Sequence, residues 1–101
     1  MIIYNITTKV SHAIENAWLQ WQKEEHIPEI MLTGLFTSYQ LFRLLEQDDD
    51  EGSTYIIQYT ANTMEDYQGY IRTHAHALSK KAFEKWADQF ISFRSVLEVM
   101  H

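Results

Sequence analysis

The stretch Gln47-Asp48-Asp49-Asp50-Glu51-Gly52 decides the fold through what stands on either side of it. Its four adjacent carboxylates repel one another and demand water, so it reads as a solvated hairpin tip. Before the tip, Leu35 to Glu46 carries Phe36, Tyr39, Leu41, Phe42 and Leu44; after it, Ser53 to Ala61 carries Tyr55, Ile56, Ile57 and Tyr59. Both runs have the aromatic and β-branched composition of strands, and the tip joins them as an antiparallel pair.

Outward toward the C-terminus, Asn62 or Thr63 followed by Glu65 and Asp66 resembles a capping box. Tyr67, Ile71, His74 and Leu78 then continue one helical stripe, with a further turn or two through Phe83 and Trp86. From Phe90 to Met100 the chain alternates, Ile91, Phe93, Ser95, Leu97 and Val99 against Ser92, Arg94, Val96 and Glu98, as a strand does.

Outward toward the N-terminus, Ile2 to Thr8 reads as a strand, and Ser11 offers a cap to the helix that follows. Ile14, Trp18 and Trp21 form its apolar stripe, with Glu15, Gln22, Lys23 and Glu24 placed elsewhere. Pro28 suits the first turn of a second short helix and Gly34 its end, so a break is expected near His26. The order is β-α-β-β-α-β in one domain spanning 1–101. That is the ferredoxin-like α+β arrangement, a four-stranded antiparallel sheet with helices on one face.

Such a sheet leaves its second face open. With Tyr4, Ile57, Phe93 and Leu97 under the helices, the open face carries Ile3, Phe36, Phe42, Leu44, Ile56 and Val96. That is too much contiguous apolar surface for a monomer, and the expected partner is a second copy, closed sheet to sheet.

Composition narrows the function. The 101 residues are 46% hydrophobic, enough to build a packed core. The net charge of -6 has the wrong sign for binding nucleic acid or an anionic membrane, and neither is expected as a partner. The absence of cysteine excludes disulfides, thiolate metal sites and cysteine nucleophiles. The N-terminal residues lack a signal-peptide pattern and no stretch reaches membrane-spanning length, so the expected location is cytoplasmic.

The segment from His26 to Phe36, with Trp18-Leu19-Gln20-Trp21 ahead of it, resembles a bacterial family of short proteins of unknown function. The terminal Phe93-Arg94-Ser95-Val96-Leu97-Glu98-Val99 carries the same resemblance, which extends over essentially the whole chain. That family is similar to the dimeric α+β barrel superfamily, which includes cofactor-independent antibiotic-biosynthesis monooxygenases and haem-degrading enzymes. The resemblance implies a dimer and leaves the chemistry open.

Candidate site residues come from several elements. Asn5, Gln40, Gln58 and Arg94 are polar side chains within apolar strands. On a shared open face they would line the inside of a barrel and orient a ligand; alternatively Arg94 pairs with Glu98 or a partner carboxylate and the amides satisfy backbone. The haem-degrading branch uses an Asn on its first strand with a Trp and a His on its second helix. Asn5 and His74 or His76 match by element, but Tyr67 stands where the Trp is expected, which speaks against haem. His74 and His76 lie roughly 200° apart around a helix and cannot share one metal. His26, beside Glu25 and Glu29, suits an acid–base pair or a metal site, or else a junction histidine capping carbonyls. No His-Glu-x-x-His spacing or calcium loop is present, and neither metal nor cofactor is expected. Trp18, Trp21 and Trp86, with Phe83 and Phe90, form an aromatic pocket or plain core.

The pocket candidates are therefore Asn5, His26, Gln58, Tyr67, His74 and Arg94, with no catalytic residue assigned. The expected function is a homodimeric module that binds a small organic molecule or takes part in an interaction. The alternative is a cofactor-independent monooxygenase acting on a small aromatic substrate, held by Asn5, Arg94 and His74.

Overall fold

The computed structural model describes residues 1–101. Strand β1 (Ile2–Ser11) leads into α1 (Glu15–Trp21), a π-helical turn (Gln22–His26) and α2 (Ile27–Leu32). Strands β2 (Ser38–Arg43) and β3 (Gly52–Ala61) follow, then α3 (Met64–Thr73), α4 (Ala75–Trp86) and β4 (Phe90–Glu98). The strands pair antiparallel in the order β2-β3-β1-β4, the ferredoxin-like topology.

The helical stretch does not break at His26; it widens. Pro28 has no N–H for the Glu24 carbonyl and its ring collides with that carbonyl in a regular helix. A π turn absorbs the conflict and lets the helix run on until Gly34, whose φ of +76° ends it. Ser11 stays in the strand, its hydroxyl accepting from the Ala13 N–H in the turn before the helix. Thr63 caps α3 as its sequence suggests, accepting from the Asp66 N–H at 3.1 Å. The stripe of α3 is shifted by one residue: Tyr70 is buried and Ile71 is exposed. The kink at His74, where the two helices meet, allows that shift.

Registers fix the faces. Tyr4 lies opposite Tyr59 and Val96, and Ile6 opposite Ile57 and Arg94, so Arg94 and Val96 belong to the helix side. Phe93 and Leu97, expected there, stand on the open face with Ile91, paired with Thr7, Ile3 and Lys9. The error is one of parity on an edge strand with apolar residues on both sides. Phe36, expected on the open face, precedes β2 and is buried in the core against Tyr4, Tyr59 and Tyr70. A second, smaller core gathers Val10, Trp18, Tyr55 and Trp86 at the other end of the sheet.

Gly52 is required where β3 begins, since a Cβ there would collide with the Val10 carbonyl oxygen. The acidic tip beside it is partly tied down: Arg43 bridges Asp49 at 3.1 Å, and His12 bonds the Asp49 carbonyl. No helix is long and apolar enough to cross a membrane.

Candidate functional site

A cavity of about 90 Å³ lies between the helices and the sheet. Tyr4, Ile6 and Ile57 form part of its floor on the sheet side, and Trp18 and Ile30 part of its roof. Strand alternation points Thr8 of β1 and Ser92 and Arg94 of β4 inward, and α4 brings Ser79 across from Arg94. The Thr8 and Ser92 hydroxyls bond each other at 2.8 Å, and Arg94 Nη2 donates to Ser79 Oγ at 2.6 Å.

Three other polar atoms in this lining are shut off from solvent and have no hydrogen-bond partner: Gln22 Oε1, His26 Nδ1 and the Tyr59 hydroxyl. Each such orphan costs roughly 1–3 kcal/mol when nothing answers it. Trp86 Nε1 and Asp49 Oδ1 are also orphaned, but elsewhere in the molecule. Orphans are scarce in a folded chain, and three of them belong to the lining of this one small space.

The charge states follow from burial. Desolvation pulls the His26 pKa down to about 4; Glu29 opposes this, while Lys81, which bridges Glu29 at 2.8 Å, and Arg94 add to the depression. At neutral pH the imidazole is therefore uncharged, with one donor and one acceptor nitrogen. It stacks on Trp21 at 4.4 Å, which fixes its plane. Tyr59 is fully buried, and desolvation, reinforced by Tyr70, Tyr4 and Tyr39, raises its pKa, keeping the phenol protonated. Arg94 is the one fixed charge in the lining.

Of the residues singled out from sequence, the structure brings His26 and Arg94 together here. His26 is not an exposed junction residue, and Arg94 forms no ion pair with Glu98. Asn5 and Gln58 stand on the other face of the sheet, where Gln58 Nε2 donates to Asn5 Oδ1 at 3.1 Å. Tyr67 packs on Tyr4 at 5.5 Å, and His74 stacks beside Tyr70 at the α3–α4 kink; neither lines the cavity. The set of Asn5, Arg94 and His74 is thus not assembled. A haem site of the kind built from a first-strand Asn and a second-helix His is not assembled either, and a cavity of about 90 Å³ is far too small for a porphyrin. Of the aromatic residues, Trp18 and Phe90 line the cavity, Trp86 belongs to the smaller core and Phe83 is exposed.

Gln22, Tyr59 and Ser79 join the lining without standing out in the sequence as pocket residues. A signal for Gln22 existed, since Trp18, Gln22 and His26 recur every four residues along one helix face. Tyr59 gave none, because an aromatic residue in an apolar strand reads as core.

A family model described as a domain of unknown function, DUF4286, matches residues 1–100. The chain belongs to that family. No curated protein matches this DUF4286 chain. Among solved structures, it is similar to an "ethyl tert-butyl ether d (ethd) family protein" from Bacillus halodurans: 16% identity, TM-score 0.73, covering 99% of this chain and 100% of that one. A dimeric ferredoxin-like protein from an uncultured marine organism matches at 12% identity and TM-score 0.70, over 99% and 96% of the two chains. SnoaB, a cofactor-independent oxygenase from Streptomyces nogalater, matches at 9% identity and TM-score 0.63, over 99% and 94%. At such identities the likeness is one of fold: the DUF4286 chain has the ferredoxin-like architecture of the dimeric α+β barrel proteins.

Proposed function

We propose that this chain is a homodimeric module that binds a small polar organic molecule between its helices and its sheet. One observation carries the reading: three buried, unpartnered polar atoms from two elements, Gln22 Oε1 and His26 Nδ1 of the π-helical turn and the Tyr59 hydroxyl of β3, belong to residues that line a single cavity. Such atoms are tolerated where a bound molecule answers them. The dimer is supported by the open face, where Ile91 is 58% exposed, Phe93 67% and Leu97 43%. A relative of the same fold is described as dimeric. The expected pairing is through this face.

Native mass spectrometry of the protein as purified from cells tests both parts. A dimer carrying a discrete extra mass is expected. A bare mass from every preparation overturns the binding reading, and a monomer overturns the pairing.

The oxygenase reading ranks second. Its support is the neutral imidazole of His26 in the same lining as the Arg94 guanidinium, a base beside a cation. Magnitudes place it lower. A base with a pKa of about 4 faces an ordinary phenol near 10 across a gap worth about 8 kcal/mol. Uptake of dissolved oxygen with simple phenols would promote this reading, and none is expected.

A further inference from the structure

Resting on the reading of the cavity as a binding site, we propose that its ligand is a small monocarboxylic acid, held by Arg94 and Ser79 through its carboxylate and by Gln22, His26 and Tyr59 through a polar group on its tail. Charge gives the first argument. The chain has a net charge of -6, yet no Asp or Glu is among the residues lining this cavity. Arg94, exposed at the rim of the cavity, is the sole cation of its lining and forms no ion pair. An unpaired guanidinium presents a planar fork that matches a carboxylate with two parallel hydrogen bonds. The Ser79 hydroxyl, already 2.6 Å from Nη2, is placed beside the same anion.

The inner groups supply the second argument. Gln22 is 6% exposed and Tyr59 0%, so neither finds water at the surface. Gln22 Oε1 needs a donor, the protonated Tyr59 hydroxyl offers one, and neutral His26 can do either. A hydroxyl on the ligand is both donor and acceptor and answers such a set. One cation, with uncharged partners elsewhere, matches the single charge of a carboxylate and leaves half the charge of a phosphate dianion unmatched. Size is the third argument. A cavity of about 90 Å³ holds about six water-sized positions, which is the bulk of a three-carbon hydroxy acid.

The test is titration of the isotope-labelled dimer, followed by NMR, with propionate, 2-hydroxypropanoate, its neutral amide 2-hydroxypropanamide, and inorganic phosphate. Saturable shifts at the Gln22 side-chain amide are expected with both carboxylates, tighter for the hydroxy acid. The amide and phosphate should bind at least about tenfold more weakly. Arg94→Gln should weaken the carboxylates roughly ten- to hundredfold, Arg94→Lys should recover part of the loss, and Arg72→Gln on the outer face of α3 should change nothing. Equal binding of acid and amide, or full affinity in Arg94→Gln, overturns the carboxylate inference and leaves the binding site standing. Silence from every probe, with a non-carboxylate mass aboard the purified protein, overturns the inference alone; silence with a bare mass removes both.

Discussion

Two histidines, His12 in the turn before α1 and His26 at the end of the π-helical turn, are driven in opposite directions by their surroundings. His26 stands in the cavity, desolvated, with its pKa pulled down to about 4 and an orphaned ring nitrogen. His12 stands in water at the far end of the sheet, where a bond to Glu15 at 3.0 Å and another to the Asp49 carbonyl raise its pKa. Around His12 most polar groups answer one another, with Asp49 Oδ1 and Trp86 Nε1 the exceptions. Tyr55 Oη donates to Glu15 Oε2 at 2.5 Å, which lowers the Glu15 pKa, and Arg43 joins Asp49 to Ser53. Charged side-chain bonds thus hold the hairpin to the helix at one end, whereas at the other end the orphaned Gln22, His26 and Tyr59 gather around one cavity.

The largest expected effect concerns acid. The unfolded chain protonates His26 near 6.5 and the folded one near 4, so folding loses stability as pH falls from 6.5 to 4, by about 3 kcal/mol in full. Denaturant midpoints across that range should show the loss, and His26→Phe, which keeps a ring on Trp21, should abolish this component. A wild-type and variant with identical acid profiles would contradict the buried, uncharged assignment. Next, Tyr55→Phe should cost about 1.5–2 kcal/mol in chemical denaturation, since a buried hydroxyl that serves a carboxylate is removed. Its counterpart Tyr59→Phe removes a hydroxyl that serves nothing in the chain, and should be neutral or stabilise by up to about 1 kcal/mol. Equal costs for the two tyrosines would erase the contrast between the two ends. The smallest effect is that of His12: its stabilising contribution is present below 6.5 and fades as pH rises through its raised folded pKa. NMR titration should find His12 protonating above 6.5 and His26 last of all.

Much of this architecture is written in local pattern. The tip from Gln47 to Gly52, the Thr63 cap and the runs of β-branched residues each declare themselves within a few positions, because strand alternation and helix capping are short-range effects. The face of β4 does not. Phe90 and Val96 on one side and Ile91, Phe93 and Leu97 on the other are equally apolar, so only pairing with β1 decides between them. That single undecided parity moved Arg94 across the sheet and away from Asn5. The cavity was hidden for a related reason: Gln22, Tyr59 and Ser79 lie far apart along the chain, and their shared surroundings exist only after β3, the helical arm running from α1 to α2, and α4 have packed. Pro28 was ambiguous by nature, since a missing N–H can either end a helix or widen it.

The widened turn also sets how many residues this stretch must contain. A π turn accommodates one residue more than the α-helical turn it replaces, so Gln22–His26 behaves as a single-residue insertion within a helix that otherwise repeats every 3.6 positions. Deleting one solvent-facing residue there, Lys23 for instance, would rotate everything before it by about 100° relative to everything after it. Trp18 and Gln22 could then no longer face the sheet while Ile27 and Ile30 did. Substitution at Lys23 is nearly free, and deletion is not; the arm tolerates changes of letter and none of count.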